Sequence, residues 1–569
     1  MNIDMTIENA KVYNTYTQRF EEKIVTIQNG RFYHLAKEGL TGADCPNILD
    51  AKGCYMIPGL IDIHMHIESS MTVPEIFSKA VLPYGVTTVV ADPHEIANVF
   101  GLEGIEAFIS NKTLLDIFYG IPSSVPSTSE ALETTGGQIG IKEIEKMLES
   151  PQVRCLGEVM NFRDLVRDQD SLIKQIIKRC QEKRPTMPIE GHCPKVSGLD
   201  LSRFINQGID ADHTQQSPEL IWEKICNGMF LEIQGKSITK ENIEMLVKNN
   251  FYEYFALVTD DVMADHLLAG HLNKNLIKAV SFGMPMEKAI YVSTYTPARR
   301  MGFRDRGAIA PGRLADFIFL EDLETFKINQ VYKKGSCVYR KGDKVETLEN
   351  SVHFPDHFYH SLHCRKATLK DFAIKIQHEG EALVNVIRIQ EFGTFTERVK
   401  RRVKVVKGEL QWEEAGLALL LVMERYGKNG NIAYGLVENA LTQKGATATT
   451  WAHDHHNIMV MGTAKNDMLI AQHRLLELDG GYVVVKEEKV TAEVALEVGG
   501  IVSCAPLEEL GGNIRNVRTA LRDLGYKNNN EIMSFSTLSL PVSPEIKITD
   551  VGLLDSKTLE IIPLIEELI

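Results

Sequence analysis

The sequence predicts an α/β protein with a central (β/α)8 barrel, a small composite β domain and a C-terminal α/β domain. Between residues 56 and 300, apolar strand-like runs alternate with helix-like segments that carry charge. This alternation is typical of parallel strands covered by helices. Strand-and-turn patterns lie on both sides of this stretch, and further apolar runs follow residue 350. A chain of 569 residues is long enough for about two to four domains.

The small β domain is predicted from both sides of the barrel. Residues 23–27 are rich in β-branched side chains, and the turn signal Asn29-Gly30 follows them. Strand-and-turn character returns after the barrel, at residues 307–312, 316–320 and 331–340. We therefore predict that residues 1–55 and 301–348 form the small β domain, residues 56–300 the barrel, and residues 349–569 the C-terminal α/β domain.

Local patterns predict individual elements within these domains. The predicted barrel strands include residues 87–91, 155–157, 188–191 and 256–258, and residues 141–149 are predicted to form a helix. After residue 350 we predict a solvated connector that contains His353, His357, His360 and His363. The predicted strands of the last domain include residues 458–461 and 482–485.

Composition argues against several classes of protein. Lys and Arg number 62 against 76 Asp and Glu, so with a net charge of −14 we expect no nucleic-acid partner. No apolar run reaches the roughly 20 residues of a membrane helix, and residues 1–10 lack a signal-peptide pattern. The nine cysteines include no Cys-x-x-Cys pair, as expected of reduced thiols. We expect a soluble cytoplasmic protein without a membrane partner, and homo-oligomerisation is left open.

The chain is organised around a motif at residues 58–68. An apolar run ends in His64 and His66, which one residue separates, and Glu68 follows. Side chains two residues apart on a strand point to the same face, so both histidines project from the end of a buried strand. The alternative is a pair of partly exposed strand histidines. The apolar residues that precede the histidines, and the Pro58-Gly59 pair at the start of the motif, favour a metal site.

Four more residues with ligating side chains stand where barrel strands would end. They are Glu158, His192, His213 and Asp260. Each one alone could be a helix cap or an ordinary loop residue. As an ordered set with His64 and His66, they match what two metals about 3.5–4 Å apart need when they share a bridging carboxylate. The ends of barrel strands are also where such folds place their active sites.

Longer motifs run through nearly the whole chain in order. They are residues 58–70, 91–99, 157–161, 259–261, 304–312, 453–457 and 540–544. On these motifs the chain resembles the adenine deaminase family of the amidohydrolase superfamily. The resemblance implies a metal-dependent hydrolase of purine metabolism that converts adenine and water to hypoxanthine and ammonia. It implies two divalent metal ions, with manganese expected and iron or zinc as alternatives.

The resemblance also implies a role for each proposed ligand. One metal would be bound by His64 and His66, the second by His192 and His213, and Glu158 would bridge the pair. Asp260 would ligate a metal and carry a proton from the attacking hydroxide to the leaving ammonia.

Substrate contacts are predicted beside the metals. Attack at C6 of a purine builds negative charge on the ring nitrogens, so a proton donor is needed near N1. The candidates are Glu158, Glu68 and His94, and the sequence does not rank them. Asp261 is either an acceptor for a purine N–H or a helix N-cap.

Histidines elsewhere allow several interpretations. His453, His455 and His456 follow Trp451. This loop could complete the substrate pocket, form a separate metal site or pack on its own domain; we place His453 among the substrate-binding residues. His271 fits a family motif but could equally be a surface histidine at a helix edge.

Departures from the family pattern leave other substrates open. Thr214 replaces Glu, and Ile233-Gln234 replaces Arg-Glu, near the expected mouth of the pocket; Cys193 and Ser124 also differ. A site that hydrogen-bonds its substrate discriminates steeply. The alternative is therefore an amidohydrolase that acts on another purine or a cyclic amide. A catalytically silent purine-binding protein would require a missing ligand, and none is missing.

Overall fold

A mixed eight-stranded sheet joins two distant parts of the chain. The structure is a computed structural model that describes residues 3–40, 45, 47–168, 170–343, 345 and 354–569. Asn29 and Gly30, with φ of 51° and 68°, form the two-residue turn typical of hairpins. Residues 307–312, part of the predicted strand-and-turn segment, form turns and bends. The strands are Met5–Asn14, Arg19–Gln28, Arg31–Ala36, Ile48–Asp50, Tyr55–Pro58, Phe317–Asp322, Lys327–Lys333 and Ser336–Arg340.

Eight parallel strands then surround one interior. They are Leu60–Met65 (β1), Val86–Ala91 (β2), Asp116–Ile121 (β3), Val153–Val159 (β4), Ile189–Gly191 (β5), Ala211–Asp212 (β6), Phe230–Ile233 (β7) and Phe255–Leu257 (β8). β1–β5 and β6–β8 form two hydrogen-bonded runs. Asp210 N donates to Ile189 O, and Asp260 N donates to His64 O, both at 3.1 Å, so the runs meet at both seams. The arrangement is the predicted TIM-barrel-like α/β fold.

Helices cover the barrel because their apolar residues recur every three or four positions. In Ile141–Leu148, for example, Ile144 and Met147 are buried. Within the described ranges, every helix falls short of the length and apolar character needed to span a membrane. The helices are Pro74–Val81, His94–Ser110, Ile141–Leu148, Phe162–Arg167, Leu172–Lys183, Gly198–Ile205, Pro218–Cys226, Lys240–Lys248, Ala264–Leu267, Leu272–Ser281, Met286–Val292 and Tyr295–Arg300.

The C-terminal region is built on a ten-stranded sheet with a smaller three-stranded sheet beside it. The large sheet contains Gly380–Ile389, Thr396–Val406, Glu409–Leu410, Ala418–Met423, Ile432–Glu438, Ala446–Thr449, Ile458–Gly462, Gly481–Lys486, Lys489–Ala495 and Ile565–Leu568. The small sheet contains Ile546–Thr549, Gly552–Asp555 and Glu560–Ile562, and the helices are Lys465–Glu477, Leu507–Asp523 and Glu531–Ser536. The predicted strands at 458–461 and 482–485 are both present.

Strand pairing in this region differs from the predicted α/β arrangement. Among the described strands of the large sheet, neighbours run antiparallel except Gly380–Ile389 beside Ile432–Glu438. Antiparallel neighbours need only short turns between them, whereas the alternating α/β pattern needs a crossover helix for each pair.

The connector before this sheet alternates buried aromatic residues with exposed histidines. Phe354 and Phe358 are buried, whereas the side chains of His357 and His360 are 55% and 73% exposed. Those two histidines are solvated as predicted. His363 is also exposed, and His353 lies outside the described residues.

Candidate metal centre

Glu158, at the end of β4, is the centre of a cluster formed by the predicted ligands. Its Oε1 lies 3.4 Å from His66 Nε2. Its Oε2 lies 2.7 Å from His192 Nδ1 and 3.2 Å from His213 Nε2. Donor atoms of His64, His66 and Glu158 lie within 4.8 Å of one another, as do those of Glu158, His192 and His213. One carboxylate therefore belongs to two groups that could each hold a cation.

The two histidines of β1 are oriented so that one nitrogen of each remains for a metal. His66 Nδ1 lies 3.0 Å from the carbonyl oxygen of Asp92, so it carries the proton and leaves the lone pair on Nε2. His64 Nε2 is buried and finds no hydrogen-bond partner in the described part of the chain. A buried imidazole nitrogen without a protein partner fits a metal ligand.

Asp260 completes the cluster from the loop after β8. Its Oδ1 lies 3.6 Å from His66 Nε2, and its Oδ2 accepts a hydrogen bond of 2.6 Å from Gln234 Nε2. Its φ of 61° is in the left-handed region, which is unfavourable for residues other than glycine. The hydrogen bond from its backbone N–H to His64 O fixes it beside β1.

Asp92, which the sequence did not single out, positions Glu158 through the backbone. Its Oδ2 accepts a hydrogen bond of 2.9 Å from Glu158 N. This approach requires glycine at position 157, because a Cβ there would lie 2.2 Å from Asp92 Oδ2. The motif at residues 91–99 was a signal for Asp92, but its partner could not be read from the sequence.

Electrostatics keep the two carboxylates ionised. Burial alone would raise the pKa of Glu158, but His213 and His192 outweigh it and hold that pKa well below its usual value. Burial likewise opposes ionisation of Asp260, and the hydrogen-bonded His66 with His213 nevertheless lowers its pKa. Ionised carboxylates are the form that binds metals.

Glu68 and His94 lie beside the cluster. Glu68 is fully buried, its Oε1 accepts a hydrogen bond from Ile96 N, and burial raises its pKa to about 7. His94 Nδ1 is 3.9 Å from Glu158 Oε1, and its ring centroid is 4.7 Å from that of His66. Both residues are thus close to the proposed ligands.

Asp261 contacts the loop after β1 and does not cap a helix. Its Oδ1 accepts a hydrogen bond of 2.6 Å from Ser69 Oγ, and Asp261 is partly exposed. The next helix, Ala264–Leu267, has Met263 at its N-cap position. The helix N-cap interpretation of Asp261 is therefore wrong.

The histidine cluster of the C-terminal region contacts the barrel through Glu95. His453 Nδ1 and His456 Nε2 both contact the carboxylate of Glu95, at the start of His94–Ser110. His456 Nδ1 accepts a hydrogen bond of 3.3 Å from Ala452 N, so Nε2 carries the proton and donates it to Glu95. Ligating atoms of Glu95, His453 and His456 lie within 4.8 Å of one another, but the protonated Nε2 of His456 favours a histidine–carboxylate network over a separate metal site. Glu95 was not predicted from the sequence as a site residue.

The departures from the family pattern do not line an open mouth. Thr214 and Gln234 are 4% and 5% exposed, and Ile233 is fully buried. Thr214 Oγ1 donates to Asp212 at 2.9 Å, whereas Gln234 donates to Asp260. Their side chains pack and bond inside the barrel, and the effect of these replacements on the preferred substrate stays a prediction.

The other residues that the sequence singled out are also buried. His271 is 2% exposed, with Nε2 3.3 Å from Thr259 Oγ1, so it is not a surface histidine. Cys193 is fully buried, and Ser124 lies 3.2 Å from Ser123 Oγ.

Comparison with known proteins places this chain among metal-dependent hydrolases. Residues 55–338 match the amidohydrolase family, and residues 393–560 match the adenine deaminase C-terminal domain. An adenine deaminase from Clostridium perfringens (strain 13 / Type A) is 53% identical over 571 residues, which cover 100% of both chains. Adenine deaminase 2 from Oenococcus oeni (strain ATCC BAA-331 / PSU-1) is 50% identical and covers 99% of this chain and 98% of its own. With this identity along its whole length, the chain belongs to the adenine deaminase family of amidohydrolases.

Proposed function

We propose that this chain hydrolyses adenine to hypoxanthine and ammonia at a centre of two divalent metal ions. The observation that carries the proposal is the position of Glu158, whose carboxylate oxygens face His66 on one side and His192 with His213 on the other. The relatives named adenine deaminase, at 50% and 53% identity, support adenine as the substrate.

The proposed ligands share imidazole and carboxylate donors, which bind manganese, iron and zinc. We expect manganese, with iron and zinc as alternatives. When bound, such metals supply a nucleophile from water near neutral pH. We assign one metal to His64, His66 and Asp260, the other to His192 and His213, and both to Glu158.

Asp260 is the proposed proton carrier. Attack of the water oxygen at C6 forms a C–O bond, and the proton released must reach the amino nitrogen before the C–N bond breaks. Gln234 donates to Asp260 Oδ2 and so orients the carboxylate that accepts the proton and returns it. The amino group then leaves as ammonia.

A second proton is needed at the purine ring. Both oxygens of Glu158 face proposed ligand histidines, so Glu68 and His94 are better placed to donate it. One oxygen of Glu68 has no hydrogen-bond partner in the described ranges. We propose that Asp261 accepts a purine N–H and that His453 contacts the bound purine from the C-terminal region.

No observation favours the alternative functions. The substitutions that suggested another purine or a cyclic amide are at buried positions, where Thr214 bonds Asp212 and Gln234 bonds Asp260. A silent purine-binding protein would not need five ligating side chains placed around the carboxylate of Glu158.

Ammonia release tests the proposal directly. Metal-free protein is reloaded with Mn²⁺, Fe²⁺ or Zn²⁺, and release is measured from adenine, other purines and cyclic amides, together with metal content. We expect two metal equivalents and adenine as the preferred substrate. Asp260→Asn should lower kcat about 10²–10⁴-fold because the amide accepts no proton. Asp200→Asn, at an exposed position, is the control.

Two results would contradict the proposal. If adenine yielded no more ammonia with the wild-type protein than with Asp260→Asn, the assigned reaction would be wrong. A single metal equivalent in fully active protein would exclude the bridging role of Glu158.

A further inference from the structure

Glu232 lies on β7, one layer deeper in the barrel than the ligand cluster. Glu232 and Gln234 are two residues apart, so their side chains share the inner face of the strand. Gln234 reaches Asp260, whereas Glu232 Oε2 lies 3.6 Å from His64 Nδ1. Ligating atoms of Glu232, His64 and His213 all lie within 4.8 Å of one another.

The surroundings of Glu232 provide it with no ordinary structural partner. Its side chain is fully buried, and neither carboxylate oxygen has a hydrogen-bond partner within the described chain. Arg300 pairs with Glu190 at 2.9 Å and with Asp210 at 2.5 Å. Glu190 also approaches Glu232, but Arg300 already donates to Glu190. A buried carboxylate without donors is unfavourable, so its partner must be another neighbouring group.

The two histidines above Glu232 each have a nitrogen that needs an acceptor. His64 Nε2 is a proposed metal ligand, which leaves Nδ1 to carry the ring proton. His213 Nε2 lies 3.2 Å from Glu158, and its Nδ1 is buried with no hydrogen-bond partner in the described residues. The two imidazole rings stack with centroids 3.8 Å apart, so a single carboxylate can serve both.

We propose that Glu232 is a positioning residue that accepts the Nδ1–H groups of His64 and His213 and so orients one ligand of each metal. This inference rests on the proposed two-metal centre. A carboxylate that accepts from a ligand histidine fixes the tautomer and orientation of the ring, and its loss typically weakens metal binding about 10–100-fold. Glu232 itself contacts neither metal nor purine.

Metal titration of Glu232→Gln tests this role with Mn²⁺ alone as the probe. Metal-free proteins are titrated, and free Mn²⁺ is counted from its electron paramagnetic resonance signal. Glutamine has a single acceptor oxygen and can accept from one histidine but not from both. We expect wild-type protein to bind two equivalents and Glu232→Gln to bind at least one of them about 10–100-fold more weakly. At saturating Mn²⁺, the kcat of the variant should return to the wild-type value.

A matched control separates this role from a general effect of a buried substitution. Glu133 is also fully buried, but it accepts hydrogen bonds from Ser127 and Thr128. Glu133→Gln should bind Mn²⁺ like the wild type. An equal loss in this control would overturn the inference.

The remaining outcomes are equally decisive. Unchanged Mn²⁺ affinity in Glu232→Gln would overturn the inference and favour a proton shared with Glu190, because an amide still donates to Glu190. If Glu232→Gln failed to fold, Glu232→Asp would carry the same expectation, since it withdraws the carboxylate by one methylene. The wild-type protein could release no ammonia from adenine while Glu232→Gln still showed the expected loss of Mn²⁺ affinity. That result would support the positioning role of Glu232 and would refute only the proposed reaction.

Discussion

Gln234 holds the proposed proton carrier in an unfavourable backbone conformation. The φ of 61° at Asp260 belongs to a class of conformations that cost about 1–3 kcal/mol. The amide of Gln234 bonds both Asp260 Oδ2, at 2.6 Å, and the carbonyl oxygen of His213, at 3.1 Å. A neutral amide can donate to an ionised carboxylate. Glutamate, the residue of the family pattern, would have to be protonated to do the same.

Gln234→Leu should therefore reduce turnover. A hydrogen bond to a charged group contributes about 1.5–3 kcal/mol, so we expect kcat to fall roughly 10–100-fold. KM should change little because the proposed purine contacts remain, and metal content should change little because the five other proposed ligands are unchanged. Steady-state kinetics and metal analysis on the same preparations check this. Thr214→Val, which removes a neighbouring hydroxyl that bonds Asp212, is the control, and an equal loss there would argue against a specific role for Gln234.

The structure brings together the six predicted ligands, but their neighbours could not be predicted from the sequence. His64 and His66 share a face because they are two residues apart, and local spacing is visible in a sequence. Glu95 and Glu232 are different, because their partners come from distant segments. A lone glutamate inside an apolar strand or at a helix start gives no signal of the histidine that it meets after folding.

At the scale of elements, the loop at residues 451–457 joins the C-terminal region to the barrel through an ion pair. Burial alone would raise the pKa of Glu95, but His453 and His456 outweigh it and hold that pKa well below its usual value. Burial opposes protonation of His453, yet Glu95 raises its pKa to about 9. Glu95 and His453 therefore form an ion pair at neutral pH, at the start of the helix that follows β2.

His453→Ala should impair catalysis without loss of metal. If His453 contacts the purine, the loss of one charge-assisted hydrogen bond, about 1.5–3 kcal/mol, should lower kcat/KM roughly 10–100-fold. Metal content should stay at the wild-type value, since all the proposed ligands lie in the barrel. His473→Ala, on the helix Lys465–Glu477 away from the barrel contact, is the control. Unchanged kinetics in His453→Ala would make the loop structural, and loss of metal would mean that the ligand assignment is wrong.

Element type was easier to predict than strand pairing. The apolar runs at residues 87–91 and 256–258 are barrel strands, because continuous burial leaves a clear local pattern. The order and direction of the strands after residue 380 depend on contacts between segments far apart in sequence. The spacing of apolar residues along one strand shows neither the order nor the direction of the strands in the sheet. The mainly antiparallel pairing was therefore not foreseen.

At the scale of the whole molecule, the barrel and the C-terminal region share a hydrophobic core. One cluster of buried residues contains Met65 and Phe77 from the barrel and Leu420, Trp451 and Leu510 from the C-terminal region. The proposed domain boundaries at residues 55, 300 and 348 therefore divide sequence segments that pack together. Point variants test the C-terminal region better than truncation, which would expose this apolar face.

Lys547 should make the stability of the molecule depend on pH. It is fully buried, its Nζ donates to Thr394 O at 2.9 Å, and burial lowers its pKa from 10.5 to about 7. Between pH 7 and 10.5, Lys547 keeps its proton in the unfolded chain but releases it in the folded protein. The free energy of unfolding therefore rises with pH, by up to about 1.4 kcal/mol per pH unit. Below pH 7 both states are protonated and the full cost of burying the charge remains.

Lys547→Met should remove this dependence. We expect the variant to be more stable than wild type at pH 7, with the difference shrinking as the pH rises towards 10, because the wild-type lysine then becomes neutral. Urea unfolding at pH 7, 8, 9 and 10 measures it. Lys557→Met, at a side chain that is 71% exposed, should show no such trend. A difference between Lys547→Met and wild type that stays constant with pH would mean that Lys547 is charged in the folded protein.

The pairing of Tyr55–Pro58 with Phe317–Asp322 has a consequence for how the chain is made. At about 5–20 residues per second, a ribosome needs roughly 13–50 s to deliver the second strand after the first. During that time the edge of the first strand is unpaired, and the apolar barrel strands emerge behind it. Exposed edges and apolar strands are what nascent chains aggregate through. A ribosome that stalls before residue 317 therefore releases an aggregation-prone fragment and not a smaller enzyme.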